Sequence, residues 1–118
     1  DADEADQMGR TLLMHAAREG NAAVAARLLS CDAMADATDG DGMTPLMHAA
    51  TFGHVPVAKA LLKHDADVDD TADDGRTALM HAAGAGHVDM VRLLVQKDAD
   101  VHETDEAGLN ALMHAAQA

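Results

Sequence analysis

Eight histidines are the residues with the most chemical potential in this 118-residue chain. Four of them recur every 33 residues, at His15, His48, His81 and His114. Imidazole nitrogens are common zinc ligands. If the repeats are stacked helices, however, the layers lie about 8–10 Å apart, whereas each nitrogen of a zinc site lies about 2 Å from the ion. We therefore expect these four to pack or to bond to turns, and keep a histidine-rich metal-binding protein as an alternative.

Two further chemistries find only partial support in the residues. The run Asp65–Asp69 alternates carboxylates like the first half of a calcium loop, but Asp70 replaces the required glycine and Arg76 the bidentate glutamate. Cys31 and Ser30 are possible nucleophiles, yet no base and acid accompany them in a recognisable motif. The glycines follow the repeat interval and form no phosphate-binding loop. We expect no enzyme, no cofactor and no metal.

The 33-residue interval organises the chain from end to end. Each copy has a Thr or Asn, then an apolar segment containing Met-His-Ala-Ala, and glycines and leucines keep the same register without insertions. Such periodicity is typical of repeat architectures, in which each unit completes its neighbour's core. We predict one domain, 1–118, with repeats at about 6–38, 39–71 and 72–104 and a partial repeat at 105–118.

Local signals within a unit predict two helices. Thr44 is a good N-cap, and Pro45 stands where a first helical turn tolerates proline. Gly53 can adopt the left-handed geometry that ends a helix, and a second helix is expected across Val55–Leu62. Runs rich in Asp and Gly separate the hairpins and favour turns. The fold class is therefore an all-α solenoid of stacked helix-turn-helix units with projecting β-turn loops.

The charge excludes some classes of partner. There are 21 acidic and 8 basic residues, a formal net charge of −13, which repels nucleic acid and anionic membranes. No run approaches the roughly 20 apolar residues of a membrane span. We expect a soluble protein, with the cytoplasm favoured and secretion or a periplasmic location after leader removal left open. The acidity fits either a basic partner or a high-salt habitat.

The second unit resembles an ankyrin repeat. The resemblance lies in Gly42–Ala50 (GMTPLMHAA), Gly53-His54, Leu61-Leu62 and Ala66–Val68, and it extends over about Met8 to Ala118. It implies paired helices, projecting turns and a concave face that binds other proteins, with varied residues at the contact positions.

Two departures from that family have structural consequences. The family's histidine follows the Thr-Pro-Leu leucine, whereas here Met47 takes that place and His48 comes next, so the sequence does not predict the family's turn network. The glycine after the second helix is replaced by aspartate, which should cost about 1 kcal/mol at each left-handed site. These aspartates are Asp32, Asp65 and Asp98.

The candidate partner-binding residues are those that vary between units near the turns and first-helix ends. Phe52, the only aromatic residue, is an interface anchor or else covers its own helix end, and Met43 could flank it. Acidic turn residues would favour a basic partner. The full set is Arg18, Glu19, Asp41, Met43, Thr51, Phe52, Asp73, Asp74, Arg76, Glu106 and Leu109.

The predicted function is a non-catalytic protein-protein interaction module that presents a rigid, acidic, concave face. We expect a monomer that binds a protein with a basic surface, with inhibitor and adaptor as the roles considered. A scaffold or engineered repeat protein without a natural partner is the other alternative.

Overall fold

The computed structural model describes residues 5–108 and 110–117. In this part of the chain there are seven helices and no strands, with two isolated bridges in the turns. The all-α expectation is confirmed. The helices are α1 (Leu12–Glu19), α2 (Ala22–Ser30), α3 (Pro45–Phe52), α4 (Val55–Lys63), α5 (Ala78–Ala85), α6 (Val88–Gln96) and α7 (Ala111–Gln117).

The predicted helix boundaries of the second unit are confirmed. The Thr44 side chain accepts a hydrogen bond from the Met47 N–H, and Pro45 occupies the first turn. Gly53 ends α3 at φ 73°, a left-handed conformation in which a Cβ atom is strained. The same capping recurs at the starts of α1 and α5, because the residues that govern it are local to each helix end.

The aspartates that replace the family's glycine adopt the expected left-handed backbone. Asp32, Asp65 and Asp98 have φ values of 65°, 67° and 68°. They are the described non-glycine residues with positive φ. Each lies just after the C-cap of a second helix, in a conformation that an L-residue reaches only with strain.

The helices form two layers. The first helices, α1, α3, α5 and α7, pack side by side, and each of the first three also packs against the helix that follows it. Small side chains allow this close approach: Ala49 and Ala50 are both fully buried between neighbouring helices. Leucine and methionine side chains fill the remaining core, and the resulting stack measures 39 × 26 × 21 Å.

Histidines at the starts of the second helices connect successive units. His54 Nε2 donates to the backbone oxygen of Arg18 at 3.1 Å, and His87 Nε2 donates to that of Thr51 at 3.0 Å. The His54 ring lies so close to Gly20 that a Cβ there would be 2.6 Å from Nδ1. Glycine is therefore needed at this junction for space as well as for conformation.

The turns are also connected from unit to unit, through the backbone. One amide in each turn donates to a carbonyl of the preceding turn, which aligns the projecting loops along one edge of the stack. These bonds run from Gly40 N to Met8 O, from Asp73 N to Asp41 O, and from Glu106 N to Asp74 O.

Candidate functional site

A buried histidine-aspartate pair ties the first helix of the second unit to its turn. His48 Nε2 donates to Asp39 Oδ2 at 2.9 Å, and the two side chains are 1% and 3% exposed. Asp39 Oδ1 accepts the backbone N–H groups of Asp41 and Met43. One carboxylate therefore fixes both the turn and the helix start.

The protonation states of this pair follow from burial and hydrogen bonding. Burial lowers the pKa of His48, and the neighbouring Asp39 only partly opposes this effect. Burial alone would raise the pKa of Asp39, but the N–H groups of Met43 and Asp41, together with His48, lower it overall. The pair is thus a neutral imidazole that donates to a carboxylate.

The same pair recurs nine residues apart in two other units. His15 Nε2 lies 2.8 Å from Asp6 Oδ2, and His114 Nε2 lies 2.9 Å from Asp105 Oδ2. The expectation that the periodic histidines bond to turns is confirmed at these positions. These histidines stand one position later than the family's histidine, and each bonds to the turn of its own unit.

The third unit breaks this pattern. Ala72 stands where the other units have aspartate, and His81 Nε2 is buried with no hydrogen-bond partner among the described residues. The turn itself keeps its backbone bonds, since Ala72 N–H donates to Arg76 O and Gly75 N–H donates to Ala72 O. Burial lowers the pKa of His81, which favours its neutral form.

The first helices and their turns together form a surface that we call the inner face. A shallow pocket of about 360 Å³ opens on it, between α3, α5 and α7. Gly84 has no side chain at this place, whereas the aligned residues of the first two units are Arg18 and Thr51. The pocket is lined by Thr51, Arg76, Met80, His81, Gly84, Ala85 and His114.

Phe52 directly follows the pocket-lining Thr51 in the sequence and contacts a cation of the preceding unit. The Arg18 guanidinium carbon lies 4.9 Å from the centre of the Phe52 ring, a cation-π arrangement. Arg18 Nη1 also donates to His48 Nδ1 at 3.3 Å, and the His54 ring stacks on Phe52 at 6.4 Å. Phe52 is held on two sides, yet 42% of it is exposed.

The turns carry negative charges that form no ion pairs among the described residues. Asp41, Asp73 and Glu106 are exposed and make no ion pair within residues 5–108 and 110–117. Arg76 lies between two other carboxylates, 3.5 Å from Asp74 and 3.7 Å from Asp105. The inner face therefore combines one half-exposed aromatic ring with free carboxylates along its edge.

The histidines do not converge on a metal site in the part of the chain that the structure describes. Among the described residues, no group of three or more His, Cys, Asp or Glu side chains is arranged to hold a metal ion. In the same part of the chain, none of the helices has the length and apolar character needed to cross a membrane.

The stacked units have a counterpart among known families. The family model for ankyrin repeats, in three copies, matches residues 1–72 and 65–118. The chain belongs to the ankyrin repeat family. The comparison with curated proteins gives no significant match. Ankyrin repeats generally mediate protein-protein interactions and are typically non-catalytic, which agrees with the coarse function predicted from the sequence.

The ankyrin stack brings some of the predicted site residues into contact. Arg18 contacts Phe52, and Asp74 contacts Arg76. Met43 is half-buried and packs against the core. Leu109 lies outside the described residues. The other members are half-buried or exposed on the inner face and turns, and their role in binding stays a prediction: Glu19, Asp41, Thr51, Asp73 and Glu106.

Sequence reasoning missed the histidine-aspartate pairs and the pocket beside His81. A signal for both is present in the aligned units, where Asp6, Asp39 and Asp105 share one position and Ala72 interrupts it. The second signal is Gly84, which has no side chain where the first two units have Arg18 and Thr51. Acidic turn residues were expected to favour a basic partner, but the side chains of Asp39 and Asp105 are each 3% exposed and bond to histidines.

Proposed function

We propose that this ankyrin repeat domain binds a protein partner with a basic surface through its inner face. The observation that carries the proposal is the half-exposed Phe52 ring, which Arg18 and His54 hold in place. An aromatic side chain fixed before binding loses little conformational entropy on docking, as is typical of interface anchors. Phe52 is the central contact.

The exposed turn carboxylates supply the charge preference. Asp41, Asp73 and Glu106 lie on successive turns that backbone bonds align along one edge. A row of carboxylates without ion pairs attracts lysine and arginine side chains and accelerates their approach at low salt. The partner is therefore a protein with basic groups spaced along an exposed segment.

The pocket between α3, α5 and α7 would extend the contact area. Its volume of about 360 Å³ between α3 and α7 admits a side chain of the partner, and Arg76 and His81 offer polar groups at its wall. The domain acts as a preformed monomeric surface. Rigid docking of this kind suits an inhibitor that covers its partner's surface or an adaptor that holds it.

The experiment compares two variants with matched exposure. Phe52 and Val24 are 42% and 43% exposed, but Val24 belongs to α2 in the other layer. A pull-down from source lysate should retain one basic protein on the wild type and on Val24→Ala, and lose it on Phe52→Ala. In a calorimetric titration with that protein, Phe52→Ala should weaken binding by more than about 1 kcal/mol.

Equal affinities of Phe52→Ala and the wild type would remove Phe52 from the interface. The charge preference is tested separately with Asp41→Asn and Asp73→Asn. Each should reduce the association rate at low salt and have little effect at high salt, because mobile ions screen exposed charges. An association rate that neither substitution changes at low salt would contradict the basic-surface proposal.

A further inference from the structure

One arginine of the chain shows how a guanidinium packs on the inner face. Arg18 Nη1 donates to His48 Nδ1 at 3.3 Å, and the guanidinium carbon lies 4.9 Å from the centre of the Phe52 ring. His48 can accept this bond because its other ring nitrogen, Nε2, donates to Asp39. The aspartate therefore fixes the tautomer that presents an acceptor nitrogen to the inner face.

His114 has the same tautomer without an arginine beside it. Its Nε2 atom donates to Asp105 Oδ2 at 2.9 Å, and the two side chains are 6% and 3% exposed. In the neutral ring the Nδ1 atom is therefore a hydrogen-bond acceptor. Among the described residues no hydrogen bond reaches this Nδ1 atom. A nearly buried ring thus keeps one acceptor without a donor in that part of the chain.

Gly84 takes the place of Arg18 relative to this histidine. Arg18 precedes His48 by 30 residues, and the same 30 residues separate Gly84 from His114. A Cβ atom at Gly84 would lie 3.7 Å from the Cβ of His114 and 4.0 Å from its Nδ1, which is ordinary van der Waals contact. An arginine side chain that reaches this place therefore has room beside the acceptor nitrogen.

Gly84 and His114 both line the pocket of about 360 Å³ between α3, α5 and α7, which we call the Gly84 pocket. Its lining residues come from the second, third and fourth units, so the space lies within the stack. A volume of this size is ample for one long side chain. The Gly84 pocket thus combines an open space with an acceptor at its wall.

Neighbouring charges favour a cation in the Gly84 pocket. Arg76 lines the pocket, but it lies 3.5 Å from Asp74 and 3.7 Å from Asp105, so two carboxylates face one guanidinium. A carboxylate ligand would add a third negative charge and has no proton to donate to His114 Nδ1. A guanidinium supplies both the positive charge and the N–H donors.

The first two units show that two arginines can lie near one such histidine. Arg10 is the residue aligned with Arg76, and it accompanies Arg18 there. Burial lowers the pKa of His48, and the charges of Arg18 and Arg10 lower it further, so both cations are close to its ring. The presence of Arg76 is therefore compatible with a second guanidinium in the Gly84 pocket.

We propose that the Gly84 pocket binds an arginine side chain of a protein partner, whose guanidinium donates to His114 Nδ1 as Arg18 does to His48. The inference rests on the proposed function, because the arginine belongs to the basic partner. It names the side chain that this partner inserts into the inner face. Arginine is favoured over lysine because a guanidinium is planar and more weakly hydrated than an ammonium group.

The probe is Nα-acetyl-arginine methylamide, added to the whole chain at pH 7.5 and constant ionic strength. The nitrogen-15 NMR signal of His114 Nδ1 should move upfield and saturate, because an unprotonated imidazole nitrogen shifts in that direction when it accepts a hydrogen bond. A single side chain buries little surface, so the titration extends to roughly tens of millimolar. His48 Nδ1 already has its donor in Arg18 and should not move.

The same derivatives of lysine and glutamate are the matched probes. The lysine derivative should bind at least about threefold more weakly than the arginine derivative. The glutamate derivative should give no saturable shift at His114. Equal binding of the lysine derivative would remove the preference for arginine, and tighter binding of the glutamate derivative would make the Gly84 pocket a carboxylate site through Arg76. Either result would overturn the inference.

Two arginine substitutions provide matched protein variants. Gly84→Arg and Ala26→Arg add the same charge at exposed helix positions, but Ala26 belongs to α2 in the other layer. Replacing a glycine inside a helix raises helix propensity, so Gly84→Arg should fold. Its own guanidinium should move the His114 Nδ1 signal upfield without any probe and weaken probe binding at least about tenfold.

Ala26→Arg should leave the His114 signal in place and change probe binding by less than about twofold, because its charge is remote and screened. Equal probe binding by the two variants would contradict the inference, as would a His114 signal that the arginine derivative does not move. These measurements involve neither Phe52 nor the partner, so they are independent of the test of the proposed function.

The partner retained in the pull-down separates the two proposals. Gly84→Arg should weaken its binding at least about tenfold, because the inserted arginine finds the pocket filled. A partner that is lost on Phe52→Ala but binds Gly84→Arg as tightly as the wild type would support the inner face and overturn the arginine pocket. A chain that binds the arginine derivative and retains no basic protein would support the pocket and contradict the proposed function.

Discussion

Ala72 lies nine residues before His81, and its side chain has no oxygen to accept a hydrogen bond from the His81 ring. The buried Nε2 atom of His81 therefore has no hydrogen-bond partner among the described residues. At the equivalent places of the second unit, Asp39 accepts this bond from His48 at 2.9 Å. The turn backbone around Ala72 is the same as around Asp39. His81 of α5 therefore has an unpaired ring atom, while the neighbouring turn already has the backbone that positions Asp39 for this bond in the second unit.

Replacing Ala72 with aspartate should stabilise the protein. The new carboxylate would accept the His81 Nε2–H and relieve a buried unpaired group, which is worth about 1–3 kcal/mol. Urea unfolding at pH 7 measures the change. Thr71→Asp adds the same charge at an exposed neighbouring position and should give no gain. No difference between the two variants would mean that His81 has another partner.

The stability of the protein should fall as the pH drops below about 6.5. Burial lowers the pKa of both His48 and His81, so the unfolded chain takes up protons that the folded chain refuses. Asp74 opposes the shift at His81, while Arg76, His114 and His48 add to it. The free energy of unfolding is thus highest above the unfolded pKa and decreases as the pH passes down through the folded pKa.

Urea unfolding at pH 7.5 and pH 5.5 tests this pH dependence. His81→Asn should reduce the difference between the two pH values, because one of the two histidines with a lowered pKa no longer titrates. His64→Asn, at an exposed position, is the control. If both substitutions leave the difference unchanged, the buried histidine is not its source.

Gly53→Ala should destabilise the protein more than Gly86→Ala. Both glycines have left-handed backbones, with φ 73° and 79°, so both substitutions cost about 1 kcal/mol in strain. A Cβ at Gly53 would also lie 2.7 Å from His87 Nδ1, whereas one at Gly86 meets nothing within 4 Å in the described structure. The extra cost is the lost His87–Thr51 bond, about 1 kcal/mol.

Thermal or urea unfolding of the two alanine variants gives this difference directly. A third variant, His87→Ala combined with Gly53→Ala, should show little further loss beyond His87→Ala apart from the backbone strain. Equal stabilities of Gly53→Ala and Gly86→Ala would show that the His87 ring moves away at no cost.

Asp65→Gly should be more stable than Asp65→Ala by about 1 kcal/mol. Asp65 follows the C-cap of α4 and has φ 67°, a conformation in which glycine is unstrained and a residue with a Cβ atom is strained. Both substitutions remove the same charge, so their difference isolates the backbone. Chemical denaturation is the measurement, and an alanine variant as stable as the glycine variant would contradict the strain argument.

Much of the fold was predictable from the sequence because its signals are local. The N-cap at Thr44 and the left-handed stop at Gly53 depend on residues within one turn of helix, and the 33-residue period extends them to every unit. The left-handed aspartates were predictable for the same reason. The candidate site was predictable only as a region. Differences between the aligned residues of the units indicate which surface varies, but not which side chains on it touch one another.

The sequence by itself determined the unit, its two helices and the order in which the copies stack. Tertiary structure alone decided that Arg18 lies over Phe52, that the Asp39 carboxylate meets His48, and that Leu112 is exposed while its counterparts are buried. The physical reason is distance along the chain. Caps and turns are set by neighbours a few residues away, whereas burial and side-chain pairing depend on which remote surfaces the folded chain brings together.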